Sequence, residues 1–124
     1  MLYSRGAAAY RKVHMETSPV RILDALLGRL LEDLQGAKTA IINKDIEGKT
    51  KMVDHALSIV GELNLALDRS QAPELCRSLH GLYGFVEERL LLASLRLDPG
   101  LLDEAMPLVE SIRGAFRDAT GMEA

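Results

Sequence analysis

Aromatic residues are scarce in this chain of 124 residues, which contains no tryptophan, three tyrosines and two phenylalanines. β-Branched residues are also few, whereas leucine is the commonest residue. Because leucine favours helices and strands favour aromatic and β-branched residues, this composition predicts an all-helical protein. The length is typical of one domain that is large enough to bury a core.

Other absences exclude several classes of protein. A single cysteine, Cys76, excludes a disulfide framework within the chain and indicates a reducing compartment. No apolar run approaches the roughly 20 residues of a membrane span, and residues 1–15 lack the apolar stretch of a signal peptide. A formal net charge of −3 gives no reason to expect nucleic acid or membrane insertion. We therefore expect a cytosolic protein.

The apolar residues recur at helical spacing in four stretches, and three of the four prolines stand at probable helix starts. Pro19, Pro73 and Pro99 suit the first position of a helix, where no backbone N–H is needed. Asp45 is a plausible N-cap for the second helix. The predicted helices are 19–42, 45–67, 73–97 and 99–119.

Short connections make sequential helices antiparallel neighbours. The sequence therefore predicts an antiparallel up-and-down four-helix bundle over residues 19–124. A mobile N-terminal arm, residues 1–18, is expected before it. The arm is basic in its first part, since residues 1–15 carry Arg5, Arg11 and Lys12 but no acid.

Two features break the helical rules. Pro107 lies inside the fourth helix, where it removes a backbone hydrogen bond and predicts a kink or a split. Glycines also interrupt the helices, and each costs about 1 kcal/mol relative to alanine. Close packing of helices, or a shallow groove that admits another backbone, would account for them. These glycines are Gly28, Gly36, Gly61, Gly81, Gly84 and Gly114.

Catalysis, metal binding and cofactor binding are not indicated by any constellation of residues. The three histidines are scattered, and no Glu-x-x-His pair is available for a di-metal site. One segment, "HGLYG" from His80 to Gly84, resembles the signature of histidine phosphotransfer domains, which are also four-helix bundles. Such domains place a lysine near the histidine to counter the phosphoryl charge, and Tyr83 stands at that position here. Phosphotransfer through His80 is kept as an alternative function.

Apolar residues exceed what one core-facing stripe per helix requires. The surplus is consistent with a wide core, with the interface of a homodimeric helical adaptor, or with a groove that binds the helix of another protein. The surplus residues are Ile22, Leu26 and Leu31 in the first helix, Leu65 in the second, and Leu91, Leu92 and Leu95 in the third.

Four segments, in this order, resemble the flagellin export chaperones of the FliS family. They are "AYRKVHMETSPVRIL" (9–23), "AKTAIINKDIEGK" (37–49), "HALSIVGELNLALD" (55–68) and "LHGLYGFVEERLLLASLRLD" (79–98). The resemblance implies a chaperone that is not an enzyme and uses no cofactor. It would bind the C-terminal segment of newly made flagellin in the cytosol, prevent premature polymerisation, and deliver it to the export gate of the flagellar secretion apparatus.

The resemblance and the apolar surplus together suggest site residues. The predicted groove lining is Ile22, Leu26, Leu30, Leu82, Tyr83 and Leu90. The polar rim, carried over from the family pattern, is Arg89, Ser94 and Asp98. The family's N-terminal arm can lie over the groove when no client is bound, and Tyr10 and Val13 are the residues expected there. A homodimer is kept as an alternative assembly.

Overall fold

The computed structural model describes residues 19–122 and confirms the all-α fold. It contains four helices: α1 (Pro19–Ile42), α2 (Ile46–Leu65), α3 (Pro73–Arg96) and α4 (Gly100–Thr120). No strand occurs within 19–122. The predicted boundaries therefore lie within about two residues of the observed ones.

Local residue chemistry explains where the helices begin and end. Asp45 is the N-cap of α2, as predicted, and its Oδ1 accepts a hydrogen bond of 2.9 Å from the backbone N–H of Gly48. Pro73 occupies the first turn of α3. Gly121 ends α4 with a φ of 72°, a left-handed conformation that glycine adopts without steric cost.

The four helices form a closed ring in which α1 and α3 each pack against both α2 and α4. Two polar contacts show that neighbouring helices are antiparallel. Lys38, late in α1, donates to Asp103, early in α4, at 2.7 Å. Asn64, at the end of α2, lies 3.0 Å from His80, early in α3. We call the end at which α1 and α3 begin the upper end, and the opposite end the lower end.

The core takes one stripe of apolar side chains from each helix. Asp33 is buried among them and is hydrogen-bonded to His55 of α2, which provides a partner for its carboxylate. Cys76 is a buried free thiol. The largest fully buried side chains are Leu27, Leu30, Leu34, Val60, Leu63, Tyr83, Val86, Leu90, Leu102 and Val109.

Side chains of neighbouring helices occupy the space beside two of the six glycines named above. A methyl group at Gly28 would lie 2.9 Å from the guanidinium of Arg113, and one at Gly36 would lie 2.9 Å from the sulfur of Met52. The other four have no atom within 4 Å of such a methyl group, so packing within residues 19–122 does not account for them. These four are Gly61, Gly81, Gly84 and Gly114.

Of the two outcomes expected at Pro107, a kink or a split, the split is wrong, because α4 continues through it from Gly100 to Thr120. Pro107 itself is exposed. Ala105 and Val109 on either side of it are buried in the core. Packing before and after the proline therefore holds one helical path despite the missing backbone hydrogen bond.

Asp24 joins the start of α1 to the end of α4 through two arginines. Its carboxylate accepts two hydrogen bonds from Arg117, at 2.7 and 3.0 Å, and two from Arg113, at 3.0 and 3.1 Å. The hydrogen bonds from Arg117, followed by those from Arg113, hold the pKa of Asp24 far below its usual range. Gly28 has no side chain, which leaves room beside it for the guanidinium of Arg113.

We predict that Asp24→Asn lowers the free energy of unfolding at neutral pH by about 1–2 kcal/mol, the range for hydrogen bonds to charged groups after solvent screening. Because the pKa of Asp24 is depressed in the folded state, its stabilisation is complete above the unfolded pKa of about 3.9. It is lost as the pH falls through the lower folded pKa. Urea unfolding at several pH values measures both effects.

Asp54→Asn is the matched control, because Asp54 is exposed on α2 and forms no ion pair with any residue of 19–122. It should change stability by less than about 0.5 kcal/mol. Equal losses for the two variants, or a gap between Asp24→Asn and wild type that does not narrow in acid, would contradict this role for Asp24.

Candidate functional site

An almost wholly apolar groove of about 420 Å³ lies between α3 and α4 at the upper end of the bundle. We call it the α3/α4 groove. A surface concavity with so little polar lining is typical of sites that bind other apolar groups. Its lining consists of Leu75, Leu79, Leu82, Leu108, Ser111, Ile112, Ala115, Phe116 and Ala119.

Helical spacing on both sides builds this groove. Leu108, Ile112 and Phe116 are four residues apart along α4 and therefore form one ridge. Leu79 and Ile112 are buried at 8% and 7% exposure and form the floor, whereas Leu75 on the rim is 55% exposed. The small side chains along the end of α4, such as Ala115, leave the space between the ridges unfilled.

A second concavity of about 550 Å³ lies between α2 and α3 at the lower end. We call it the α2/α3 hollow. It is mostly apolar but contains one cation, Lys49. Two of its leucines are strongly exposed, Leu95 at 81% and Leu91 at 50%. The complete lining is Ile46, Lys49, Leu91, Ser94, Leu95 and Leu97.

The structure separates the residues that the sequence had placed in one groove. Leu82 lines the α3/α4 groove. Ile22, at 45% exposure, and the partly buried Leu26 lie on α1, and neither belongs to that lining. Because α1 and α3 face each other across the core instead of packing side by side, their outer faces cannot form one groove.

Three of the predicted groove residues require correction, because they belong to the core. Leu30 and Leu90 are completely buried, and Tyr83 is 2% exposed. All four helices surround these positions, so a docked segment cannot reach them while the bundle stays folded. Burial also raises the pKa of the Tyr83 phenol, with a smaller contribution from Cys76.

The predicted polar rim is not a single feature either. Arg89 faces α4, where it donates to Glu104 at 3.0 Å and lies 4.4 Å from the ring centre of Phe85. Ser94 lines the α2/α3 hollow. Asp98 accepts a 2.9 Å hydrogen bond from the backbone N–H of Gly100 at the start of α4. Arg89 and Asp98 thus have structural roles, and Ser94 alone borders a concavity.

The predicted cap residues, Tyr10 and Val13, lie outside the described residues. Their role therefore stays a prediction. Pro19 shows where the preceding segment joins the bundle: it starts α1 at the upper end, which is also the end at which the α3/α4 groove lies.

The described residues give little support for phosphotransfer or for metal binding. His80 is exposed, and its Nδ1 is 3.0 Å from the side-chain amide oxygen of Asn64, which carries no positive charge to balance a phosphoryl group. Within residues 19–122, no three His, Cys, Asp or Glu side chains are grouped to hold a metal ion. None of the four helices is both long and apolar enough to cross a membrane.

Sequence reasoning missed the contribution of α4 to the α3/α4 groove. Leu108, Ala115, Phe116 and Ala119 all line it, and none of them is among the predicted groove residues. Spacing of three and four residues identifies an apolar row. It does not show whether that row faces the centre of the bundle or the seam with one neighbour.

Comparison with known proteins identifies one family. The family model described as Flagellar protein FliS matches residues 3–123. The chain is 30% identical over 121 residues to the flagellar secretion chaperone FliSB of Pseudomonas aeruginosa, an alignment that covers 94% of this chain and 96% of the relative.

Two further relatives are flagellar secretion chaperones called FliS. The protein from Bacillus subtilis is 31% identical over 116 residues, which cover 93% of this chain and 86% of the relative. The protein from Escherichia coli is 26% identical over 125 residues, which cover 96% and 92%. Since the family model spans nearly the whole chain, this protein belongs to the FliS family of flagellar secretion chaperones.

Proposed function

We propose that this protein is a cytosolic export chaperone, without enzymatic activity or cofactor, that binds the C-terminal segment of flagellin. Binding would keep flagellin from polymerising before it reaches the export gate of the flagellar secretion apparatus. The observation that carries the proposal is the α3/α4 groove, which is apolar, open to solvent, and found in a member of a secretion chaperone family.

The dimensions of the groove suit a short amphipathic helix. Its lining runs from Leu108 to Ala119 along α4, which is roughly 16 Å at 1.5 Å per residue. This length corresponds to about three turns of a bound helix. An apolar stripe at positions i, i+4 and i+7 of that helix would then face the lining between Leu75 and Leu82.

A disordered client makes an apolar surface of this kind necessary. Ordering a flexible segment costs conformational entropy, and burial of apolar area is the main term that can offset it. Leu75 at the rim and Leu79 at the floor offer such area in a pre-formed arrangement. The same burial would hide the apolar face that flagellin otherwise uses in the filament.

An empty apolar groove also carries a risk of aggregation, which the N-terminal segment can reduce. Residues 1–18 join the bundle at the upper end, and at about 3.3 Å per extended residue they can reach across the groove. Tyr10 and Val13 are the apolar residues proposed to lie over it. The segment would then compete with the client and lower its apparent affinity.

The first test replaces Leu75 by glutamate and measures binding of the C-terminal flagellin segment from the same organism by calorimetry. Wild type should bind with a large negative heat-capacity change, because apolar surface is buried. Leu75→Glu should weaken binding about tenfold or more, since the carboxylate must leave water or hold the client away. Leu75 is 55% exposed, so folding should be little affected.

Leu65→Glu is the control, because Leu65 is 87% exposed and does not line the α3/α4 groove. Its affinity should match that of wild type. The absence of binding heat and of co-elution with wild type would refute the chaperone proposal. Equal weakening by both variants would show that the α3/α4 groove is not the docking site.

A second test removes residues 1–15. Helicity should be unchanged, whereas fluorescence of an apolar dye should rise and the client should bind a few-fold more tightly, because the competing segment is gone. Tyr10→Ser with Val13→Ser should reproduce the rise in dye fluorescence, and Arg11→Ser with Lys12→Ser should not. Unchanged dye binding after the deletion would exclude a covering role for this segment.

A further inference from the structure

Lys49 is the charged residue of the α2/α3 hollow. It is half-buried, and its ammonium donates one hydrogen bond, 3.3 Å long, to the backbone oxygen of Ser94. It forms no ion pair with another residue of the described range. An ammonium group has three donors, so two remain beyond this contact with a neutral carbonyl. A partly desolvated cation in this state favours a carboxylate.

The acids near the hollow are directed elsewhere. Asp45 caps Gly48 and lines a different concavity, on the α1 side of α2. Asp98 accepts the hydrogen bond from Gly100. The lining of the hollow thus has a single charge, which is positive. Ile46 belongs to this lining and is the first residue of α2.

We propose that the α2/α3 hollow binds the terminal carboxylate of the client. Lys49 would form the ion pair, and Leu91 and Leu95 would contact the apolar side chains that precede the carboxylate. This inference rests on the proposed function, in which the client is a C-terminal segment. Such a segment carries a terminal carboxylate whatever its sequence, so the charge complementary to Lys49 is always present.

The outer face of α3 offers a path between the two binding surfaces. The α3/α4 groove includes Leu82, and the α2/α3 hollow begins at Leu91 on the other side of the same helix. The separation along α3 is roughly 14 Å, which four or five extended residues can span. Gly81 and Gly84 are exposed on α3 and have open space where a side chain would be, so a backbone can cross there.

Lys49 also has a structural role that a test must separate from binding. Ser94 lies in the last turn of α3, where backbone carbonyls lack partners within the helix. The backbone N–H groups of Leu97 and Asp98 both donate to Ala93. Lys49 therefore provides a hydrogen-bond donor for the carbonyl of Ser94. Replacement of Lys49 is expected to lower stability even without a client.

The test compares two forms of the flagellin C-terminal segment, one with a free terminal carboxylate and one with a terminal amide. Wild-type full chain should bind the free acid about tenfold more tightly, the size expected for a partly exposed charge-assisted hydrogen bond. Lys49→Met should bind both forms equally, and Lys49→Arg should keep most of the preference. Lys51→Met, an exposed lysine on the same helix, is the control and should keep the full preference.

Each other outcome has a defined meaning. Equal affinity of wild type for acid and amide overturns the inference but leaves the proposed function intact, because the segment still binds. A lower melting temperature of Lys49→Met with an unchanged acid-to-amide ratio overturns it in favour of a purely structural role. If Lys49→Met changes the sedimentation coefficient of the protein but not the ratio of acid to amide affinity, the inference is overturned, and the hollow is instead an interface with a second copy of the chain. Binding of neither form by wild type refutes the proposed function itself.

Discussion

One shared core constrains the entire bundle, because each helix can turn only one stripe of side chains, about 100° wide, towards it. Leu30 of α1 and Leu90 of α3 meet that requirement with no exposed surface. Apolar residues outside these stripes must lie in a seam between two helices or in water. The seams of this ring are therefore where an apolar surplus becomes a surface that another chain can use.

The two seams that border α3 differ in chemistry. The α3/α4 groove is almost wholly apolar and lies at the upper end, whereas the α2/α3 hollow at the lower end contains the cation Lys49. Ion pairs elsewhere hold two helices of the bundle together. Asp24 is held by Arg113 and Arg117, so ion pairs link the start of α1 to the end of α4. A segment that crosses α3 can contact both surfaces without disturbing these ion pairs.

The fold could be predicted from the sequence because local chemistry marks its boundaries. Pro19 and Pro73 start helices, Asp45 caps α2, and the apolar rows have a helical period. These signals act within a few residues of one another. The continuity of α4 through Pro107 could not be predicted in this way, because packing against the other helices overrides the local preference of proline.

The site was less predictable, because it depends on which side of each helix faces which neighbour. Leu82 lines a surface concavity, but Tyr83 is one residue away and points into the core. Successive residues of a helix are rotated by about 100°, so Leu82 and Tyr83 face different directions. The spacing of apolar residues does not fix that rotation relative to two neighbours, which is also why Leu108 and Phe116 of α4 were missed.

The most direct test of the central claim is a leucine-methyl NMR comparison of the full chain with and without the flagellin C-terminal segment. If the apolar surplus of the α3/α4 groove is the client surface, the largest changes will occur at Leu75, Leu82 and Leu108. The methyl groups of the core residues Leu34 and Leu63 will then change little. Largest changes at Leu26 and Leu31 of α1, with Leu75 and Leu108 unperturbed, would contradict the account.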